Sequence, residues 1–163
     1  MGRELRKEVI VGAPLSEVWR AWTTDAGAVT FFAPAAHIEA REGGAYELFF
    51  MLEAPEGSRG SEGCTVLGLE PERRLVVSWN FPPTLPTIRG EHTRVQVDME
   101  PIDDDHTKVS VVQTGWREGD DWDQGFAYFD RAWALVLARL DHRFEAGPID
   151  WNDPYTPAAD EGR

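Results

Sequence analysis

The side chains able to do chemistry are few and scattered along the 163 residues. There is one cysteine, Cys64. A single thiol excludes an intramolecular disulfide and a Cys-rich zinc site. Its place beside Gly63 in a strand-like stretch makes it a small buried hydrophobe sooner than a nucleophile. The four histidines, His37, His92, His106 and His142, show no HxxxH or HExxH spacing. Asp103-Asp104-Asp105 before His106 has the composition of a hairpin turn, which Asp favours, rather than of a cation site. Glu39, Glu47 and Glu62 can approach one another in space, but their spacing does not select them as an acid–base pair. No GxSxG, Walker A or GxGxxG motif is present, so acyl transfer, nucleotide phosphate and dinucleotide readings have no support. No catalytic residue, metal site or cofactor is assigned.

The aromatic residues are more informative. The chain has seven Trp and eight Phe. Trp79, Phe81, Phe126, Phe129 and Trp133 fall at positions that should meet on the inner faces of a sheet and a helix. Such rings build a core, or they wall an apolar ligand pocket with a few polar groups inside. Gln113 is the polar group that points inward with them. A buried amide needs partners, so Gln113 is either tied to backbone or waiting for a ligand. Phe32, Leu48, Phe50, Val97, Val111 and Leu137 complete the expected pocket wall.

The elements that must position these residues follow from periodicity. Leu5 to Val11 reads as a strand. Leu15, Val18, Trp19 and Trp22 recur at i, i+3, i+4 and i+7 on one helix face. A second short helix is expected from Asp25, as N-cap, to Phe31-Phe32, before Pro34. The middle alternates like β-strand. Tyr46, Leu48, Phe50 and Leu52 share a face, as do Leu75, Val77, Trp79 and Phe81. Val95, Val97 and Met99, then Val109, Val111 and Gln113, continue the pattern. Pro82-Pro83 excludes central strand. From Trp122 to Phe144 the period changes to steps of three and four, an amphipathic helix of about six turns. Gly147-Pro148 stops it. The expectation is an α+β protein: a curved antiparallel sheet of about 6–7 strands wrapped around a long C-terminal helix, with two short helices after the first strand. Residues 1–146 form the domain and 147–163 an acidic tail, whose Trp151 and Tyr155 suggest that its first part docks.

Charge narrows the partners. With 29 acidic and 16 basic side chains the net charge is -13. The excess of acid is densest at Asp103–Asp105, from Glu118 to Asp123, and beyond Gly147. Non-specific binding to nucleic acid or to an anionic membrane needs a cationic surface and is not expected. No apolar run approaches the roughly 20 residues that span a bilayer. The charged start lacks a signal-peptide core, so residence in the cytoplasm is the expectation.

Element order and residues together resemble the SRPBCC (START-like, helix-grip) superfamily, and within it the family homologous to the C-terminal domain of the activator of the heat-shock-protein-90 ATPase. The resemblance is carried by Ala13-Pro14 with Val18-Trp19, by Gly43-Gly44 before Tyr46, and by Gly63 ahead of Val66-Leu67. It continues with Pro71 to Leu75 closing on Trp79, Thr107 and Gly115 flanking the last strand, and Trp133, Leu137 and Leu140 on the last helix. It spans roughly residues 5–145. Phe31-Phe32 replaces the Trp usual late in the second short helix, and Gln113 replaces the His frequent near the end of the last strand. The resemblance implies a cavity between sheet and long helix that binds a small apolar or amphipathic molecule. Its other implications are a co-chaperone-like protein-interaction module, using the acidic surface, or a cyclase- or hydrolase-like enzyme in the same cavity. Monomer and homodimer are both open.

Overall fold

The structure, a computed structural model, describes residues 3–157. Its strands are β1 (Leu5–Val11), β2 (Ala35–Ile38), β3 (Tyr46–Phe49), β4 (Val66–Glu70), β5 (Arg74–Trp79), β6 (Thr93–Asp103) and β7 (His106–Thr114). Its helices are α1 (Leu15–Thr23), α2 (Asp25–Ala28) and α3 (Asp120–Ala146). Five strands form one antiparallel sheet in the order β1-β7-β6-β5-β4, and β2 pairs with β3 in a second. Isolated bridges from Ala45 to Thr65 and from Phe49 to Gly60 carry β3 along the β4 end of the larger sheet.

The alternation read from the sequence sets the register. Val77 faces Val95, which faces Gln113; Leu75 faces Val97, which faces Val111. These residues form one buried row after another on the concave face. A 27-residue α3, about 40 Å long at helical rise, lies against that face. It buries Trp122, Gly125, Phe129, Trp133, Val136, Leu137 and Leu140. Acids crowd its first turn and Arg143 its last, the signs that suit the helix dipole. This is the helix-grip arrangement.

Two local expectations are corrected. Asp25 does not cap α2. Thr24 does, its Oγ1 accepting from the Gly27 N–H at 3.0 Å, while the Asp25 carboxylate accepts from the Ile38 N–H at 2.6 Å and so ties α2 to β2. The helix is four residues long, and turns carry the chain on to Phe31 and Phe32. The inward alternation of Tyr46 and Leu48 also stops early. The strand ends at Phe49, and Phe50, Met51 and Leu52 are 41%, 53% and 49% exposed. Glu62 explains the change: its carboxylate accepts the N–H groups of Gly57, Arg59 (2.9 Å) and Gly60 (2.8 Å), pulling residues 54–62 into a closed loop.

The first part of the tail docks. The Ile149 N–H bonds the Thr30 carbonyl at 2.9 Å, and the Trp151 indole N–H bonds the Val29 carbonyl at 2.6 Å. Tyr155 stacks on His142 with ring centres 3.9 Å apart.

Candidate functional site

The interior between α3 and the sheet is filled by rings. Trp79 and Trp133 have centroids 5.4 Å apart, and Phe32 lies 5.8 Å from the first and 5.9 Å from the second. A second group gathers on Phe81, with Trp122 at 5.0 Å, Phe129 at 5.7 Å and Trp116 at 5.9 Å. Gln113 ties this packing together. It is fully buried, its Nε2 donates to Thr93 Oγ1 at 2.8 Å, and its Oε1 accepts from the Trp133 indole at 2.9 Å. Thr93 passes the chain on to the Trp79 carbonyl at 3.2 Å. The amide therefore serves the protein's own side chains on both its atoms. The partner is neither backbone nor ligand, because the indole of Trp133 sits where such a partner would be.

What the rings leave open lies at their edge. An inner cleft of about 190 Å³ runs along α3 between Trp133 and Arg139, and an outer one of about 150 Å³ opens toward residues 58–61 and 80–84. They share Phe50, Trp79, Tyr128 and Phe129. Each is smaller than the roughly 300 Å³ at which ligand pockets usually begin. Pro82-Pro83 ends the β5 ladder and turns the chain out of the sheet to form the outer wall. Arg89 braces that wall: its guanidinium donates to the Phe81 and Gly57 carbonyls and pairs with the Glu62 carboxylate at 3.3 Å.

Of the residues singled out from the sequence, Phe32, Phe50, Trp79, Phe81, Phe129 and Trp133 line these clefts. Leu48, Val97, Val111, Leu137 and Gln113 line neither; they are sealed in the core, at most 4% exposed. Phe126 packs on Trp116, 5.0 Å between centroids, under the Arg3 guanidinium. Sequence reasoning missed Tyr128, Ala132, Leu135 and Arg139 of α3, which line the inner cleft. Their spacing of 4, 3 and 4 residues is a second helical stripe beside the core stripe, and that was the signal available. Arg59 and Arg89 come from loops and left no periodic trace.

Three titratable groups outside the clefts are accounted for locally. Burial pushes the Cys64 thiol up to about 11, so it is no thiolate near neutrality. Burial also raises the Tyr46 phenol, which donates to the Trp22 carbonyl at 2.7 Å. Asp103 Oδ1 contacts His106 Nδ1 at 2.8 Å and accepts the Asp105 N–H, contacts that hold its carboxyl below the usual range. Among the described residues, no three His, Cys, Asp or Glu side chains come together to hold a metal ion.

Residues 12–145 match the family described as activator of Hsp90 ATPase homolog 1-like protein. The chain belongs to that family. No curated protein matches the sequence. Among solved structures, a protein from Mesorhizobium loti superposes with a TM-score of 0.70 at 19% identity, over 88% of this chain and 97% of the other. The Aha1 protein from Colwellia psychrerythraea, solved as a dimer, gives 0.66 at 19% identity, over 89% and 98%. CalU16 from Micromonospora echinospora gives 0.67 at 22% identity, over 91% and 78%. At these identities the likeness is one of fold.

Proposed function

We propose that the protein binds a small apolar or amphipathic molecule in the joined clefts between α3 and the loops around residues 50–61 and 80–89, in the cytoplasm. One observation carries this reading. Phe50, Met51 and Tyr128, all more than a third exposed, gather at the mouth of a cleft whose floor is Trp79 and Phe129. Apolar side chains left in water beside an aromatic recess are the pattern of a ligand entrance. The described lining contains no carboxylate, histidine or cysteine to act as a general base, which favours binding over catalysis. The test is titration with 1-naphthol, followed by the fluorescence of the tryptophans in the cleft wall. Ala132→Phe, which fills the inner cleft from a half-buried helix position, should abolish binding while leaving the melting temperature nearly unchanged. Equal binding by wild type and variant would overturn the proposal.

A protein-interaction role is the second reading, supported by the family membership and the acidic outer face. It requires a partner whose capture weakens steeply as salt is raised. Capture that is indifferent to salt argues against it.

A further inference from the structure

The clefts reverse the charge of the molecule. The chain has 29 acidic and 16 basic side chains. Yet among the described residues the charged side chains lining the two clefts are Arg59, Arg89 and Arg139, with no Asp or Glu. The three arginines are not equivalent. Arg89 is balanced by Glu62 and engaged by two carbonyls. Arg59 gives its Nε to the Ala54 carbonyl at 2.8 Å. Arg139 gives its Nε to the Tyr155 carbonyl at 2.9 Å and lies over the Trp151 ring at 5.4 Å. Among the described residues, neither Arg59 nor Arg139 has a carboxylate within ion-pair distance, whatever the excess of acid elsewhere.

Arg139 is the more telling of the two. Among the described residues it is the one charged side chain on the inner cleft, whose other lining residues are Phe, Trp, Tyr, Ala, Leu and Val. Burial lowers its pKa, a sign that its charge has lost solvent. A partly desolvated guanidinium without a counter-ion is unfavourable, and a planar anion restores the lost interactions through paired N–H donors. Tyr128, Ala132 and Leu135 lead from the mouth to Arg139 along one helical stripe, so an apolar body lying on that stripe delivers a head group to the guanidinium.

We propose that the inner cleft selects an organic anion: a small amphiphile whose aromatic body rests against Trp79 and Phe129 and whose carboxylate pairs with Arg139. The inference rests on the ligand-binding reading above and specifies its substrate class. The net charge of -13 disfavours such an anion on the surface as a whole, so the cleft's apolar stripe beside a guanidinium has to supply the selectivity.

The test compares 2-naphthoate with its neutral isostere 2-naphthamide on the full chain, followed by the indole N–H resonances of Trp79 and Trp133. Naphthoate should bind about tenfold more tightly, and its advantage should shrink as sodium chloride is raised. Arg139→Gln should erase the preference, so that acid and amide bind alike. Arg139→Lys, which keeps the charge but loses the paired donors and the Tyr155 contact, should retain a reduced preference for the acid and so separates charge from tail docking. If the amide binds the wild type as tightly as the acid, or Arg139→Gln keeps the preference, the anion inference falls and the apolar site stands. If neither probe moves the two indoles, both fall.

Discussion

At the scale of single residues, two polar groups hold the site's framework, and their loss has calculable signatures. Gln113 is fully buried and bonds Thr93 and Trp133. Gln113→Leu orphans the Trp133 indole N–H, worth about 1–3 kcal/mol when left unsatisfied, and takes one partner from the Thr93 hydroxyl, which keeps its bond to the Trp79 carbonyl. Chemical denaturation should show a loss of about 2–4 kcal/mol, and a neutral result would mean that the network is not formed. That Gln113 points inward was legible in the strand alternation. That its partner is the Trp133 indole was not, because the pairing joins a strand to a helix 20 residues on, and no local pattern records it. Glu62 gives a pH signature. Burial pulls its pKa up, but three backbone N–H groups and Arg89 outweigh that and hold it below the ordinary carboxylate value. A depressed folded pKa stabilises above the unfolded pKa, and the stability disappears as pH falls through the folded value. The melting-temperature gap between wild type and Glu62→Gln should therefore be full at pH 7 and close below about pH 4. A gap that widens in acid would refute the assignment.

At the scale of elements, α3 and the sheet were readable because each buries one face and so writes its period into the sequence. The cleft was less readable because its walls are loops and a second, weaker stripe on the helix. Phe50 shows the limit. It continues the alternation of Tyr46 and Leu48 in sequence, yet the loop drawn together by Glu62 takes it out of the strand and sets it at the mouth. The helix carries its own test at Gly125. Glycine within a helix normally costs about 1 kcal/mol relative to alanine, so Gly125→Ala is stabilising on propensity alone. Here a Cβ would come within 2.5 Å of the Phe81 ring. That ring is packed by Trp116, Trp122 and Phe129 and can yield only toward the outer cleft, at the cost of those contacts. Overpacking of about 1–3 kcal/mol then exceeds the helical gain. The variant should melt lower, with Phe81 displaced toward the outer cleft that it lines. A higher melting temperature would show that the aromatic group is looser than its contacts imply.

At the scale of the molecule, two electrostatic effects oppose each other, and their sizes decide the sign of the salt response. Exposed ion pairs such as Arg3–Asp123 at 2.9 Å and Lys7–Asp130 at 2.8 Å tie the first strand region to α3, and salt weakens them. Pairs this exposed contribute about 0–1 kcal/mol each. Against them stands a net charge of -13, with acids crowding the first turn of α3 and the β6–β7 turn. Every acid left without a base repels the others, and screening relieves that repulsion in the compact state more than in the expanded chain. Repulsion spread over so many uncompensated charges outweighs the eleven pairs of the described residues, most of them exposed and weak. Raising sodium chloride from about 0.02 M to 0.5 M, which shortens the screening length several-fold, should raise the melting temperature by a few degrees. Chloride is the right anion because sulfate would also strengthen apolar burial and confuse the cause. A melting temperature that falls with sodium chloride would mean that the surface pairs dominate, and that the acids around α3 are stabilised by neighbours rather than strained by one another.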